Sequence, residues 1–152
     1  MWSSRTSICL RAVVLVMCWV LMSCVKTETS PRLHLYGGKE HDQYLGCLNC
    51  KPIENTSIWN IYTPYGDVNG SRSIWNKYGT YGETFGRLSP FNTVAGSPPI
   101  VLDDEGLSYG YLTIDQYHPD RCQLPVALAI YDNVDEVRKD VQGWYKMIFG
   151  DE

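Results

Sequence analysis

The spacing of apolar residues changes three times along this chain, and each change marks a different kind of segment. Residues 12–21 form a continuous apolar run, whereas the chain from residue 33 onward mixes short apolar groups with glycine, asparagine and proline. Near residue 100 apolar and polar residues alternate, and after residue 124 the apolar residues recur at helical spacing. The pattern therefore predicts a leader, a turn-rich middle and a helical end.

The leader has the layout of a secretory signal. Two basic residues, Arg5 and Arg11, come before the end of the apolar run, and the run closes at Ser23-Cys24. A positive flank, a short apolar segment and a small residue at a boundary are typical of a signal that is removed. The Cys at that boundary resembles the lipidated first residue of a mature bacterial lipoprotein. We therefore predict a signal over residues 1–23 and a lipid anchor on Cys24.

Two alternatives to lipidation remain for this segment. The chain from Ile8 to Val25 contains about 18 largely apolar residues, which approaches the length of a membrane-spanning helix. Cleavage by an ordinary signal peptidase near Ser23 is the other alternative. Arg11 interrupts the span and Leu21 does not suit the ordinary cleavage pattern, so lipidation is favoured. Residue 25 is not acidic, which hints at an outer membrane in a cell that has one.

The remaining chain is long enough for one domain. Residues 24–32 are polar and predict an anchor followed by a short tether, and residues 33–152 predict a single globular domain. The whole chain has a formal charge of -4. Removal of Arg5 and Arg11 leaves 11 basic and 17 acidic side chains, a charge of -6. An acidic surface of this kind argues against nucleic acid as a partner.

An internal repeat occupies the middle of the domain, from about residue 57 to residue 92. The tetrad Ser-Ile-Trp-Asn at residues 57–60 recurs at residues 73–76, and a weakened copy, Ser-Pro-Phe-Asn, occupies residues 89–92. The period is 16 residues. Tryptophan, tyrosine and isoleucine suit extended segments, while glycine and asparagine suit bends. We predict short strands or extended segments joined by tight turns, including one over residues 67–70.

The aromatic residues of the repeat are Trp59, Tyr62, Trp75 and Tyr78. We expect them to stack as core, with the serine and asparagine side chains of each tetrad satisfying backbone groups in the bends. The alternative is a ligand-binding aromatic surface formed by their exposed edges. Exposed aromatic rings suit sugars or peptide segments.

A hairpin and helices complete the predicted fold. Residues 99–102 and 107–114 read as two strands joined by the turn 103–106. We predict a short helix over residues 124–130 and a longer one capped by Asp132 or Asn133. The longer helix is expected to lay Val137, Val141, Trp144 and Ile148 against the sheet, with Arg138, Lys139 and Asp140 facing water. The predicted class is α+β with C-terminal helices packed on the sheet.

Three cysteines, Cys47, Cys50 and Cys122, lie in the predicted domain. The Cys-x-x-Cys spacing of the first two permits either a structural disulfide or a redox site. A thioredoxin-like site requires a helix after the motif, and Lys51-Pro52 ends any helix there. The structural bridge is therefore favoured. The fate of Cys122 depends on whether Cys24 is lipidated, because an unmodified Cys24 leaves two bridges and several connectivities open.

Metal binding and hydrolysis have weaker support. His34, His41, Cys47 and Cys50 are candidate zinc ligands within 17 residues. Their spacing matches no common zinc finger, and an oxidising compartment favours a disulfide over a metal. No hydrolase motif or phosphate-binding loop occurs in the sequence. We therefore predict no metal, no cofactor and no catalytic residue.

Several unusual motifs occur together in a fixed order. They are Gly-Cys-Leu-Asn-Cys at residues 46–50, the Ser-Ile-Trp-Asn-x-Tyr repeat, the final Ser-Pro-Phe-Asn and the segment Tyr-Gly-Tyr-Leu at residues 109–112. In these motifs the chain resembles a group of small exported bacterial proteins of unassigned function, over residues 35–115. The resemblance implies a shared fold and brings no catalytic residues.

These observations predict an exported, lipid-anchored envelope protein that acts as a structural or binding module. Its expected partners are the membrane, through Cys24, and an envelope polysaccharide or protein. The alternative is a thiol-disulfide redox protein that uses Cys47 and Cys50.

Overall fold

The computed structural model describes residues 30–150. The predicted signal, Cys24 and most of the tether lie outside the described residues. Within them the fold is α+β, as predicted. Its elements are β1 Leu33–Gly37, β2 Gln43–Cys47, β3 Ile100–Asp103, β4 Ser108–Tyr111, α1 Pro125–Lys139 and α2 Val141–Phe149.

The four strands form one antiparallel sheet in the order β2-β1-β3-β4. Leu35 of β1 lies opposite Gly46 on one side and Val101 on the other. The β1–β2 connection turns at Gly38, whose φ of 94° favours glycine because a side chain there would be strained. The buried face of the sheet carries Leu35, Leu45 and Val101. This sheet forms one wall of the hydrophobic core.

The β3–β4 hairpin occurs where the sequence predicts it. The carboxylate of Asp103 holds its turn, because one oxygen accepts from the backbone N–H groups of Glu105 and Leu107, both at 2.9 Å. The hydroxyl of Tyr109 donates to the other oxygen at 3.2 Å. Burial opposes the charge of Asp103, but these hydrogen bonds outweigh it and lower the pKa of the carboxyl.

The repeat region does not contain the short strands that we predicted. Residues 51–97 instead form consecutive tight turns, and a single isolated bridge joins Cys47 to Ser57. From residue 67 to residue 83, the backbone N–H groups of residues 70, 73, 76 and 79 each donate to the carbonyl three residues earlier. The N–H of residue 83 then donates to the carbonyl of residue 79, four residues earlier. These steps add up to the period of 16 residues. The region is therefore a small solenoid built from turns.

Serine and asparagine side chains hold these turns, as predicted. In the second tetrad, Ser73 Oγ accepts from the backbone N–H of Trp75 at 3.1 Å. Asn76 donates through Nδ2 to the carbonyl of Gly70 and accepts through Oδ1 from the N–H of Tyr78. The same three bonds recur in the other two tetrads, including the weakened copy. Side chains that capture backbone groups this way compete with strand pairing, which explains the absence of strands.

Glycine is required at one position in each of the first two turn units. At Gly66 and at Gly82 a Cβ atom would lie 2.3 Å from the carbonyl oxygen of the tetrad asparagine, Asn60 or Asn76. No side chain fits at that distance. The turn therefore closes against the backbone of its own tetrad.

The tetrad tryptophans form the centre of the core. Trp59 and Trp75 are buried, and their ring centroids lie 5.4 Å apart. Each indole N–H donates to a backbone carbonyl of the preceding turn of chain, that of Leu48 and that of Ile58. Buried tryptophan normally has such a partner. The indoles thus join successive turns of the solenoid by packing and by hydrogen bonds.

The C-terminal helical segment is interrupted at two residues, one of them at the predicted position. Helix α1 begins with Pro125 at its first turn and continues through Asn133, where φ of -136° produces a kink. Asn133 donates to the carbonyl of Ala129 and does not cap a new helix. The kink at Asn133 agrees with the predicted boundary, and the second break, at Asp140, was not predicted. The side chain of Asp140 accepts from the N–H of Gly143 and caps α2.

Both helices pack on the common core. The rings of Tyr145 and Phe149 from α2 contact Trp59, with centroids 6.0 and 6.2 Å away. The hydroxyl of Tyr131 from α1 donates to the carbonyl of Cys122 at 3.1 Å. In the last turn unit, the carbonyl of Pro90 accepts from the N–H of Ile114. Sheet, solenoid and helices therefore share one hydrophobic interior.

No helix in the described part of the chain has both the length and the apolar character needed to cross a bilayer.

Candidate functional site

The structure divides the four predicted aromatic residues into two pairs. Trp59 and Trp75 are buried, in agreement with the expected core role, and Trp75 also borders the groove described below. Tyr62 and Tyr78 are 88% and 83% exposed. The reason is the tetrad geometry, since the indole N–H must point inward to its carbonyl partner while the residue three positions later lies on the outside of the turn.

The exposed tyrosines belong to a column that follows the solenoid. Tyr62, Tyr78 and Val94 occupy equivalent positions in the three units, 16 residues apart, and Val94 is also 83% exposed. A second exposed column contains Ile53, Asn69 and Phe85 at the same spacing. We call these the tyrosine column and the flanking column. Large apolar side chains in such regular exposed positions are typical of an interaction surface.

A groove of about 540 Å³ lies between the middle turn unit and α1. Its size is within the usual range for ligand sites. The groove is lined by Val68, Asn69, Trp75, Lys77, Tyr78, Asp135, Arg138 and Lys139. It therefore joins one residue of each exposed column to the basic end of α1.

Arg138 does not face water as we predicted from its charge. Its side chain is only 11% exposed, and its guanidinium donates to the carbonyl of Gly82 in the solenoid. The guanidinium also lies 5.0 Å from the ring centroid of Phe91 and pairs with Asp135 at 3.2 Å. Burial lowers the pKa of Arg138. Its main role is to attach α1 to the turn units.

Lys77 is an exposed cation of the groove, as is Lys139. The ammonium of Lys77 lies 4.9 Å from the ring centroid of Tyr78, a cation–π contact. No acidic side chain within residues 30–150 forms an ion pair with Lys77. Lys139 pairs with Glu136 at 2.7 Å. Among the groove cations, Lys77 is therefore the one whose charge is left for a ligand.

Cys47 and Cys50 form a disulfide, with Cα atoms 5.5 Å apart. Both residues are buried, and the guanidinium of Arg32 donates to the sulfur of Cys50 at 3.0 Å. Cys47 ends strand β2, so it lacks the helix N-terminus that activates a redox cysteine. Cys122 is a buried free thiol whose pKa is raised by burial. This geometry supports a structural role for the bridge.

The two histidines considered as zinc ligands lie in separate hydrogen-bond networks. The two ring nitrogens of His34 contact Tyr44 Oη at 2.9 Å and Asp104 Oδ1 at 2.8 Å. The Nε2 atom of His41 contacts the carbonyl of Pro98 at 2.9 Å. Residues 30–150 contain no group of three or more histidine, cysteine or acidic side chains arranged to hold a metal.

Lys77, Asn69 and Arg138 were missed as site residues by the sequence reasoning. A signal for the first two exists in the repeat itself. Where the first unit has Ile53 and Ile61, the middle unit has Asn69 and Lys77. Arg138 has no such signal, because its partner Gly82 is 56 residues away.

Compared with known protein families, curated proteins and solved structures, the chain has no match.

Proposed function

We propose that this chain is an exported, lipid-anchored binding protein whose turn solenoid holds an envelope polysaccharide. The observation that carries the proposal is the tyrosine column, in which Tyr62 and Tyr78 remain exposed while the adjacent tryptophans are buried. The fold gains little from rings in contact with water, and a ligand that covers them would bury their apolar area.

A polysaccharide suits this surface better than an apolar partner does. Sugar rings stack on aromatic faces and also need hydrogen-bond donors and acceptors around them. Tyr78 has such groups nearby, because Asn69 and Lys77 line the same groove. The 16-residue period also places the rings of Tyr62 and Tyr78 at equivalent positions of successive units, which suits two sugars of one polymer.

The location of the protein rests on the sequence around Cys24. Export agrees with the Cys47–Cys50 disulfide, since disulfides persist in oxidising compartments.

Mass spectrometry of the protein purified from its own membranes tests the lipid anchor. We expect an N-terminus at Cys24 that carries acyl chains, and the Cys24→Ser variant to lack them. An unmodified chain that still begins at Met1 would contradict the anchor.

Binding is tested with beads that carry neutral or acidic envelope polysaccharides. The full-length chain, solubilised in detergent, should be retained by at least one of them. The double variant Tyr62→Ala/Tyr78→Ala should bind about tenfold more weakly, because aromatic contacts of this kind contribute roughly 0.5–1.5 kcal/mol each. Tyr117→Ala is the matched control, since Tyr117 is 93% exposed and lies outside the repeat. Equal retention of all three proteins would exclude the tyrosine column as the binding surface.

A further inference from the structure

The middle turn unit differs from its neighbours where it faces the groove. In the flanking column, the exposed apolar residues Ile53 and Phe85 are replaced by Asn69. The position before the column tyrosine is Ile61 in the first unit and Lys77 in the middle unit. All three units keep the same tetrad hydrogen bonds, so the fold does not require these polar residues. The tetrad hydrogen bonds therefore do not explain Asn69 and Lys77, which both line the groove.

The groove is positively charged, although the protein is acidic. Lys77, Arg138 and Lys139 line it together with one acid, Asp135, whereas the whole chain has a formal charge of -4. Asp135 and Glu136 pair with the two cations of α1. The charge of Lys77 is not balanced by any acid in the described part of the chain. An exposed, unpaired cation beside an aromatic ring is complementary to a ligand that carries both an anion and a flat apolar face.

We propose that the groove beside Tyr78 is a subsite for an acidic sugar, a uronic acid residue of the polysaccharide. The carboxylate of the sugar pairs with the ammonium of Lys77, and its ring packs on Tyr78. The side-chain amide of Asn69 supplies hydrogen bonds to hydroxyl groups. This inference rests on the proposed polysaccharide binding and adds the chemical class of the ligand.

Oligogalacturonate and its methyl ester form a matched pair of probes for this subsite. The two have the same sugar ring, and only the first carries the carboxylate charge. Isothermal titration of the full-length chain in detergent should give tighter binding of the acid by about tenfold, since hydrogen bonds to charged groups are among the stronger ones. Added salt should weaken binding of the acid and leave that of the ester nearly unchanged.

Variants separate the contribution of the charge from that of the ring. Lys77→Ala should lower the affinity for the acid about tenfold and leave that for the ester unchanged. Tyr78→Ala should weaken both probes. Lys39→Ala is the control for charge, because Lys39 lines a different groove on the solenoid. Circular dichroism confirms that each variant is folded.

Each outcome separates this inference from the proposed function. If the acid and the ester bind equally, or if Lys77→Ala binds the acid as wild type does, the acidic subsite is wrong while polysaccharide binding stands. If neither probe nor any polysaccharide binds, the proposed function is wrong as well. If poly-glutamate displaces the acidic sugar at equal charge concentration and Tyr78→Ala has no effect, the groove is an electrostatic peptide site, which also overturns the inference.

Discussion

The indole N–H of Trp75 donates to the backbone carbonyl of Ile58, one turn unit earlier in the solenoid. The equivalent bond of Trp59 reaches Leu48, in the segment that follows β2. Each tryptophan therefore satisfies a buried carbonyl outside its own unit. Units that share a hydrogen bond and a ring contact in this way should unfold together.

We expect Trp75→Phe to lower the free energy of unfolding by about 1–3 kcal/mol, because the carbonyl of Ile58 would lose its buried partner. Trp75→Ala adds a cavity and should cost about 3–5 kcal/mol. Urea unfolding followed by circular dichroism measures both. The control Tyr78→Ala should stay within about 0.5 kcal/mol of wild type, because Tyr78 is exposed. A similar loss in the control would mean that the tyrosine column is structural.

Asn76→Ala should lower the free energy of unfolding by about 1–3 kcal/mol, because it leaves the carbonyl of Gly70 and the N–H of Tyr78 without their partners. Asn92→Ala should cost at least as much in the third unit, because the hydrogen bonds of Asn92 are more buried. Asn76→Asp retains the acceptor but not the donor, so its loss should be intermediate. Thermal and urea unfolding of the three variants give the comparison. A loss for Asn92→Ala well below that for Asn76→Ala would contradict the structural equivalence of the units.

Replacement of both bridge cysteines, Cys47→Ala with Cys50→Ala, should lower the free energy of unfolding by about 2 kcal/mol, the entropy expected for a very short loop. The folded wild type should show no cysteine-dependent reduction of insulin, because both residues are buried. A turnover that disappears in Cys47→Ser would instead support the redox alternative.

The Cys122 thiol is buried and should react with a thiol reagent only after the protein is unfolded. Comparison of the number of reactive thiols in wild type and in Cys122→Ala identifies the reaction of Cys122.

The turn at Asp103 should make stability depend on pH. Its pKa in the folded protein lies below the ordinary value of 3.8, so protonation favours the unfolded chain. The stabilisation is complete well above that value and is lost as pH falls through the lower folded value. Urea unfolding between about pH 6 and about pH 3 should show Asp103→Asn less stable than wild type at the upper end, with the difference shrinking at the lower. A difference that does not change with pH would mean that folding does not lower the pKa of Asp103.

The sequence predicts the β3–β4 hairpin and the period of the repeat, but not how the repeat folds. The hairpin is readable because alternating apolar residues flank a turn, Asp103 to Gly106, whose chemistry is local. The repeat has no such periodicity inside a unit, since its turns are held by Ser73 and Asn76 and not by strand pairing. Consecutive turns and short strands contain the same residue types, so composition does not separate them.

The helix boundary and the groove illustrate two other limits. The sequence predicts the kink at Asn133 but not the second break at Asp140, which lies inside a continuous helical pattern of apolar residues. Arg138 was expected in water because it is charged, yet its partner Gly82 lies in a distant segment that local patterns do not reveal. The exposure of Tyr78 likewise depends on the direction that the buried Trp75 imposes on the turn.

The solenoid also bears on how such a protein can change in length. Each unit provides the backbone carbonyl that accepts from the indole N–H of the next unit. A duplicated 16-residue segment therefore contains both the donor and the acceptor of the hydrogen bond that connects the units. The specialised contacts are at the ends, where Ser57 meets β2 and Pro90 meets Ile114. A tandem duplication in the middle of the gene would therefore extend the tyrosine column by one ring and leave both ends unchanged.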